Sequence, residues 1–216
     1  MERAQIIKSL QELRKQTKKR KFSQSVDLII NLQDLDFKKP SDQVDFFVTM
    51  HYPIGKKLKI CGLVGPELEE ESKKVCDFTV PQLKFGEYQS DKKKLKHLAK
   101  DYDYFIAQAN IMPKVAQVFG RFLGPKNKMP NPKVGAVVPP KANLSPLYEK
   151  LQKTIRLVAR KDPILHLLVG KEEMKDEEIA DNVATVYDQL IHHLPKEKNN
   201  VKSVYLKFTM SKPVKI

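Results

Sequence analysis

The segment Ile111-Met-Pro-Lys-Val-Ala-Gln-Val-Phe-Gly-Arg-Phe-Leu-Gly-Pro-Lys-Asn-Lys-Met-Pro-Asn-Pro-Lys133 starts as an apolar helical pattern and ends as a loop rich in Gly, Pro, Asn and Lys. The apolar residues that recur at helical spacing, and so predict a buried face, are Val115, Val118, Phe119 and Phe122. Gly124-Pro125 should end this helix, because proline lacks the backbone N–H that a helix interior needs. The loop beyond carries Lys126, Lys128 and Lys133 on a backbone stiffened by prolines, which favours contact with a polyanion over acid–base chemistry.

The composition of the whole chain also indicates an anionic partner. Forty Lys and Arg residues against 26 Asp and Glu give a net charge of +14 over 216 residues. Nucleic acid is the commonest partner of so basic a chain, and an anionic membrane surface comes second. A hydrophobic content of 41% is enough for a folded core. No apolar run approaches the roughly 20 residues of a membrane span and no signal-peptide pattern is present, so we expect a cytoplasmic protein with no membrane partner.

Few residues suggest catalysis. Cys61 and Cys76 match no zinc-binding spacing and are expected to be structural thiols. None of the five histidines stands beside a second metal ligand at a useful spacing, so we expect no metal and no cofactor. Gly62 and Gly65 lead into Pro66-Glu-Leu-Glu-Glu-Glu, whose charges would repel a phosphate. No catalytic residue is predicted, although an enzyme of nucleotide or nucleic-acid metabolism remains the alternative.

The first and last thirds of the chain share one pattern. Amphipathic helices are predicted over residues 5–19 and about 176–194, and alternating strands over 26–32, 44–50, 154–160, 164–169 and 201–209. The middle third alternates apolar strands with helices, which predicts an α/β unit with a mainly parallel sheet. We therefore expect an α/β domain inserted into a split α+β domain, with the two crossings near Lys56–Lys59 and Gln152–Thr154. Two crossing segments would form a hinge.

Several basic clusters precede or flank these elements. Lys18–Lys21 leads into Phe22-Ser-Gln-Ser25, where a ring could pack on a sugar or base while lysines contact phosphates. The other interpretation is that Phe22 packs under the first helix. Lys92–Lys96 is more typical of a solvated helix face than of a binding site. Thr209-Met210-Ser211 offers small polar groups that could bond to RNA 2′-hydroxyls.

Taken together, these motifs resemble the ribosomal protein L1 family (uL1), in its archaeal or eukaryotic (L10a) branch. Phe119-Gly-Arg-Phe-Leu-Gly-Pro-Lys-Asn-Lys-Met-Pro-Asn-Pro132 matches the family signature Leu-Gly-Pro-Lys/Arg-x-x-Met/Leu-Pro-x-Pro. Lys21-Phe-Ser-Gln-Ser-Val-Asp-Leu28 and Lys202-Ser-Val-Tyr-Leu-Lys-Phe-Thr-Met210 agree as well, and the resemblance covers nearly the whole chain. Asp34-Leu-Asp-Phe-Lys-Lys-Pro40 is similar to archaeal members.

The resemblance implies a definite architecture. Residues 1–58 and 154–216 would form domain I, a split α+β domain that carries the main RNA-binding surface. Residues 59–153 would form domain II, an inserted Rossmann-like three-layer α/β domain joined by a two-strand hinge.

The resemblance also implies a function that involves no catalysis. Members of the family bind large-subunit ribosomal RNA and form the mobile L1 stalk near the E site, where the stalk assists release of deacylated tRNA. Several repress translation of their own mRNA by binding a mimic of the ribosomal site. The implied partners are therefore rRNA, the protein's own mRNA, E-site tRNA and the ribosome, with a monomer off the ribosome.

By position, the resemblance assigns RNA contacts to two short segments. The assigned residues are Lys19, Lys21, Phe22, Ser25, Lys207, Thr209, Met210 and Ser211. Ser211 stands where the family usually has glycine, so the local backbone is expected to differ from the family pattern, and Lys212 adds a candidate phosphate contact. Lys126, Lys128 and Lys133 are assigned a secondary role facing stalk RNA or tRNA.

Overall fold

A computed structural model describes residues 2–18, 20–39 and 42–216 of the chain. The chain divides into two units, which are Met1–Lys56 with Lys153–Ile216, and Lys57–Gln152. We call the first the terminal unit and the second the central unit.

Seven helices and ten strands are present in the described residues. The helices are α1 (Arg3–Gln16), α2 (Glu69–Val75), α3 (Phe85–Ser90), α4 (Lys92–Asp101), α5 (Met112–Leu123), α6 (Ser145–Gln152) and α7 (Asp176–His193). The strands are β1 (Ser25–Leu32), β2 (Val44–Thr49), β3 (Ile60–Val64), β4 (Phe78–Pro81), β5 (Tyr104–Gln108), β6 (Val137–Val138), β7 (Thr154–Ala159), β8 (Ile164–Lys171), β9 (Val201–Phe208) and β10 (Val214–Lys215). Short 3-10 turns connect several of them.

The terminal unit is built on a four-stranded antiparallel sheet in the order β10-β9-β1-β8. Every second residue of β1 is buried, as the alternating sequence predicts for a strand with one face on the core. Helices α1 and α7 pack against each other and contact this sheet. Their core-facing residues include Ile6, Leu10 and Leu13 of α1, which are fully buried.

A second, two-stranded sheet in the same unit pairs β2 with β7 in antiparallel fashion. Arg156 of β7 binds Asp45 of β2 through Nε at 2.7 Å and Nη2 at 2.9 Å, and Arg160 also pairs with Asp45. The hydrogen bonds from Arg156 lower the pKa of the Asp45 carboxyl, and Arg160 adds to this effect although partial burial opposes it. The sequence pattern predicted both strands, but it did not indicate that they form a sheet of their own.

The central unit contains an all-parallel sheet in the order β4-β3-β5-β6. All five residues of β3 are buried, as expected for a strand covered on both faces. Cys61 and Leu63 face a core cluster that includes residues of α3, α4 and α5, whereas Gly62 faces Ser72 of α2. Helices therefore lie on both faces, and the predicted mixed α/β class is confirmed.

Helix α5 is the predicted helix of the opening segment. Val115, Phe119 and Leu123 are buried in the core cluster, and Val118 and Phe122 pack against it. The helix ends at Leu123, and the N–H of the next residue, Gly124, still donates to the carbonyl of Gly120. Helix α3 was not predicted, because six residues are too few for an apolar period to stand out.

The close approach of α2 to β3 makes a stability prediction. A Cβ at Gly62 would lie 2.1 Å from Ser72 Oγ, so Gly62→Ala should lower the free energy of unfolding by about 1–3 kcal/mol. Thermal or urea unfolding of the full chain measures this change.

Two controls accompany that variant. Gly86→Ala meets nothing within 4 Å and should leave stability unchanged or raise it by up to about 1 kcal/mol. Adding Ser72→Ala to Gly62→Ala removes the closest contact. The double variant should therefore lose less free energy of unfolding than the two single variants lose in sum. Equal stability of Gly62→Ala and Gly86→Ala would contradict the prediction.

Candidate nucleic-acid interface

The two segments assigned to RNA contact meet at one edge of the terminal sheet. β1 and β9 are antiparallel, and Val26 opposes Phe208, so the start of β1 lies beside the end of β9. Ser25 and Thr209 continue this pairing. The Thr209 N–H donates to the Ser25 carbonyl at 3.1 Å, and the Ser25 N–H donates to Thr209 Oγ1 at 3.1 Å. The structure thus brings together residues that are far apart in the sequence.

Gln24 connects a third segment, the loop between β8 and α7, to this edge by hydrogen bonds. Its fully buried side chain accepts a hydrogen bond from the Met210 N–H through Oε1 at 3.2 Å. Its carbonyl accepts from the Glu172 N–H at 2.9 Å, and its own N–H donates to Glu172 Oε2 at 3.3 Å. The loop between β8 and α7 is therefore tied to the beginning of β1 and to the turn after β9.

Arg14 of helix α1 holds the same β8–α7 loop from its other side. Its guanidinium donates to the carbonyls of Glu172 and Met174 at 2.8 and 3.0 Å, and to Asp176 Oδ1 at 2.8 Å. Such a planar fork is well suited to fixing several acceptors at once. Neither Gln24 nor Arg14 was singled out from the sequence, since nothing local marks a polar residue whose partners lie in a distant loop.

Two large apolar side chains project from this edge. Phe22 is 52% exposed and Met210 is 59% exposed, although neighbouring Val26 and Phe208 are fully buried. This exposure counts against the alternative interpretation of Phe22 as a residue packed under α1. An exposed ring and thioether on a hydrogen-bonded scaffold can pack against sugars or bases.

Two clefts flank the exposed side chains. One, of about 240 Å³, lies beside Met210 and is lined by Gln16, Thr17, Lys18, Arg20, Met210, Ser211 and Lys212. The other, of about 340 Å³, lies beside Phe22 and is lined by Arg20, Lys21, Phe22, Ser23, Glu172 and Glu173. Arg20 borders both clefts. The two glutamates were not foreseen, because only the pairing of β1 with β8 brings them here.

Lys207 is the second-last residue of β9 and pairs with Asp27 on β1. Partial burial raises the pKa of the Asp27 carboxyl, and the charges of Lys207 and His166 oppose that rise in part. Lys207 is thus a half-exposed cation with a carboxylate neighbour on the outer face of the sheet.

Ser211 has a structural part in the turn that follows β9. Its Oγ accepts from the Phe208 N–H at 2.8 Å, and its own N–H donates to the Phe208 carbonyl at 3.1 Å. Among the described non-glycine residues, positive φ angles occur at Asp34, Asn127 and Glu197, and not at Ser211. The turn therefore accepts serine without strain. The Ser211 hydroxyl is engaged in hydrogen bonds within the turn.

The remaining assigned lysines are distributed as follows. Lys19 lies outside the described residues. Lys126 and Lys133 are exposed in the loop that follows α5 of the central unit. Lys128 is half-buried, and its Nζ donates to the Tyr102 carbonyl at 2.6 Å, so it braces the loop instead of projecting freely from it.

The edge of the central sheet where a nucleotide would bind is already filled. In open parallel sheets ligands bind where the strand order reverses, which here is between the carboxyl ends of β3 and β5. Fully buried Gln108 occupies this position. Its Oε1 accepts from the Gly65 N–H at 2.8 Å, and its Nε2 donates to Glu67 Oε2 at 2.9 Å. An incoming phosphate would have to displace this amide and would meet a carboxylate.

Other functional groups are sparse in the part of the chain that the structure describes. No group of three or more His, Cys, Asp or Glu side chains there could hold a metal ion. Cys61 and Cys76 are free and buried, and burial raises the pKa of both thiols. Among the described helices, none has the length and hydropathy required to cross a membrane.

Comparison with known proteins identifies relatives along the whole chain. A family model described as "Ribosomal protein L1p/L10e family" matches residues 13–212. A protein of Pyrococcus abyssi named "Large ribosomal subunit protein uL1" is 37% identical over 216 residues, covering 100% of this chain and 96% of the relative. The protein of the same name from Methanothermococcus thermolithotrophicus is 38% identical, with 100% and 99% coverage. That of Nanoarchaeum equitans is 39% identical over 203 residues, with 92% and 93% coverage.

The hydrogen bond between the buried Gln24 side chain and Met210 leads to a prediction about the turn at Met210. Gln24→Met keeps the volume of the side chain but removes the acceptor for the Met210 N–H, so amide hydrogen exchange at Met210 should accelerate. The free energy of unfolding should change by less than about 1 kcal/mol, because the substitution also removes Nε2, a buried donor with no partner among the described atoms. Unchanged exchange at Met210 would show that Gln24 does not hold the turn.

The raised pKa of Asp27 predicts how the stability of the fold depends on pH. The pKa of the Asp27 carboxyl is raised in the folded state, so folding favours its protonated form. The ionised carboxylate therefore lowers the free energy of unfolding at any pH above the folded pKa. This loss of stability disappears as the pH falls below the pKa of the unfolded state. We therefore expect the stability of the parent chain, relative to Asp27→Asn, to improve between pH 7 and about pH 4. Urea unfolding of both proteins across this range measures the difference, and a change of opposite sign would refute the expectation.

Proposed function

This chain belongs to the ribosomal protein L1 family, and from that premise we propose that it binds large-subunit ribosomal RNA through the edge of the terminal sheet. Membership makes it a protein of the large ribosomal subunit, located at the ribosome in the cytoplasm, and not an enzyme. The RNA-contact surface comprises Lys21, Phe22, Ser25, Lys207, Thr209, Met210 and the flanking cations Lys18, Arg20 and Lys212.

One observation carries this proposal. Phe22 and Met210 are both more than half exposed, and hydrogen bonds of Ser25 and Gln24 join the segments that carry them. A monomeric soluble protein gains nothing from exposing two such side chains on a rigid edge surrounded by cations. An RNA surface offers phosphates for the cations and flat sugar and base faces for the apolar groups.

The binding mechanism divides into two contributions. Lys18, Arg20, Lys21 and Lys212 neutralise phosphates, and the release of counterions makes this part of the affinity strongly dependent on salt. Phe22 and Met210 contribute contact area that depends on the RNA shape and little on salt. Because the turn and the strand ends are already hydrogen-bonded, little backbone entropy is lost when RNA binds.

The finer roles in the family follow from this attachment. We propose that the chain forms the mobile L1 stalk near the E site and assists release of deacylated tRNA. The terminal unit would hold the rRNA, which leaves the central unit to face stalk RNA or tRNA. Lys126 and Lys133 are the exposed cations available for such contacts, whereas Lys128 supports the loop that carries them.

Repression of the protein's own mRNA would use the same surface. An mRNA segment that folds into the shape of the ribosomal site would contact Phe22 and Met210 in the same way as rRNA does. Binding of the two RNAs is therefore mutually exclusive, and free protein binds the message only when rRNA sites are filled. We further propose that the chain is a monomer off the ribosome.

Salt-dependent binding to a stalk rRNA fragment tests this surface. Lys21→Ala should weaken binding and reduce the slope of log affinity against log salt by about one. Phe22→Ala and Met210→Ala should each weaken binding by about 5- to 100-fold without altering that slope, because they carry no charge. Titration of the full chain at four or five salt concentrations gives both quantities.

The matched controls are an unrelated duplex and an unrelated side chain. The duplex, of the same length, should bind more weakly than the stalk fragment and should not distinguish Phe22→Ala from the parent. Leu83→Ala removes a 92% exposed apolar side chain from the central unit and should have no effect. Equal affinity of the parent for both RNAs would refute shape-specific recognition.

A further inference from the structure

A group of three aromatic rings, one exposed and two half-buried, lines a cleft of about 260 Å³ in the central unit. Phe78 of β4 is 39% exposed and stacks on Tyr102, with ring centroids 5.6 Å apart and planes inclined by 23°. Tyr88 of α3 contributes a third ring to the lining, and buried Leu98 of α4 provides the rest of the apolar surface. None of these residues belongs to the RNA-contact surface of the terminal unit.

The rings of this cleft are fixed by the core. Tyr102 contacts Phe105 edge-on at 6.4 Å, and Tyr88 contacts Phe119 at 5.9 Å. Phe105 and Phe119 are themselves buried in the core cluster. Burial raises the pKa of both tyrosines above the ordinary value, so their phenols are neutral at physiological pH. The cleft is therefore a preformed aromatic surface and not a chance collection of mobile side chains.

Helix α4 adds a polar stripe to this aromatic surface. Lys94, His97 and Asp101 follow one another at intervals of three and four residues, so they lie on one face of the helix, and all three line the cleft. Lys94 supplies a cation at one end of the stripe and Asp101 supplies a carboxylate at the other. A ligand in the cleft thus meets flat apolar faces, a positive charge and a hydrogen-bond acceptor.

The surrounding charge favours a polyanion as the occupant. The other lysines of α4, all exposed, are Lys92, Lys93, Lys96 and Lys100. The loop after α5 is also attached here, because Lys128 Nζ donates to the carbonyl of Tyr102 at 2.6 Å. An acidic peptide could match the lysines, but it would leave the stacked rings without a flat partner. Single-stranded RNA supplies both phosphates and planar bases.

The carboxylate of Asp101 adds base selectivity. An ionised carboxylate only accepts hydrogen bonds, so it pairs with an exocyclic amine such as cytosine N4. Uracil has the same ring size but presents a carbonyl oxygen at the corresponding position, which would face the carboxylate without a proton between them.

We propose that the cleft between β4, α3 and α4 binds an unpaired RNA base bearing an exocyclic amine, which stacks on Phe78 while Asp101 accepts from the amine and Lys94 contacts a neighbouring phosphate. The site lies outside the proposed rRNA surface and gives the central unit an RNA contact of its own. It changes the interpretation of Lys92–Lys96, which the sequence pattern alone favours as a solvated helix face.

The test compares oligocytidylate with oligouridylate, each about eight nucleotides long, on the full chain. The parent protein should bind the cytidine strand about 5-fold more tightly, since a charge-assisted hydrogen bond distinguishes the two bases. Asp101→Asn should abolish or reverse this preference, because a carboxamide can donate to the uracil carbonyl. Phe78→Leu should weaken both strands by about 10-fold while keeping an apolar side chain in place.

Localised readouts separate this site from the terminal unit. Ring-proton resonances of Phe78 and Tyr102 should shift during the titration, and Leu83→Ala should bind like the parent. Equal affinity for the two strands, with no effect of Asp101→Asn, would overturn the proposal. The absence of ring-proton shifts with either strand would also overturn it, and is the result expected if the cleft binds a protein segment. The rRNA proposal is tested separately, because Phe22→Ala should weaken binding of the stalk fragment more than Phe78→Leu does, whichever result the cytidine and uridine strands give.

Discussion

The antiparallel pairing of β1 with β9 is the interaction on which the rest of the terminal unit depends. It joins a strand near the start of the chain to one near its end, with Val26 opposite Phe208, and the alternation of both strands directs their apolar side chains toward α1 and α7. A shift of one residue would reverse the faces of a strand and expose its core residues. The same register places Ser25 beside Thr209 and Gln24 beside Met210. The proposed RNA surface is therefore a consequence of the register that buries the core.

The central unit uses a nucleotide-binding type of fold without its usual ligand site. Gln108 fills the point between β3 and β5 where the strand order reverses, and Glu67 lies next to it. What remains available on this unit is its outer surface, with the exposed lysines of the α5 loop and the aromatic cleft along α4. Both features are suited to contact with nucleic acid and neither requires a change in the sheet.

The elements of this chain were largely predictable, because long amphipathic helices and alternating strands leave clear periods. α7, β1 and β9 are examples, and the parallel sheet of the central unit followed from the alternation of strands with helices. Contacts between distant polar residues could not be predicted in this way. Gln24 and Arg14 look like ordinary polar residues in the sequence, and Glu172 becomes part of the site only through the pairing of β1 with β8. Lys128 shows the converse, since a lysine in a basic loop turned out to bind a backbone carbonyl.

The most direct measurement of the central proposal is to map where a stalk rRNA fragment touches the intact chain. Photo-crosslinking of the complex followed by mass spectrometry identifies the attached residues without any substitution. If the edge of the terminal sheet binds this RNA, the main crosslinks fall in residues 20–25 and 207–212, with Phe22 and Met210 among them, and weaker ones fall in the central unit. Crosslinks confined to the central unit, or spread evenly over the exposed lysines, would contradict it.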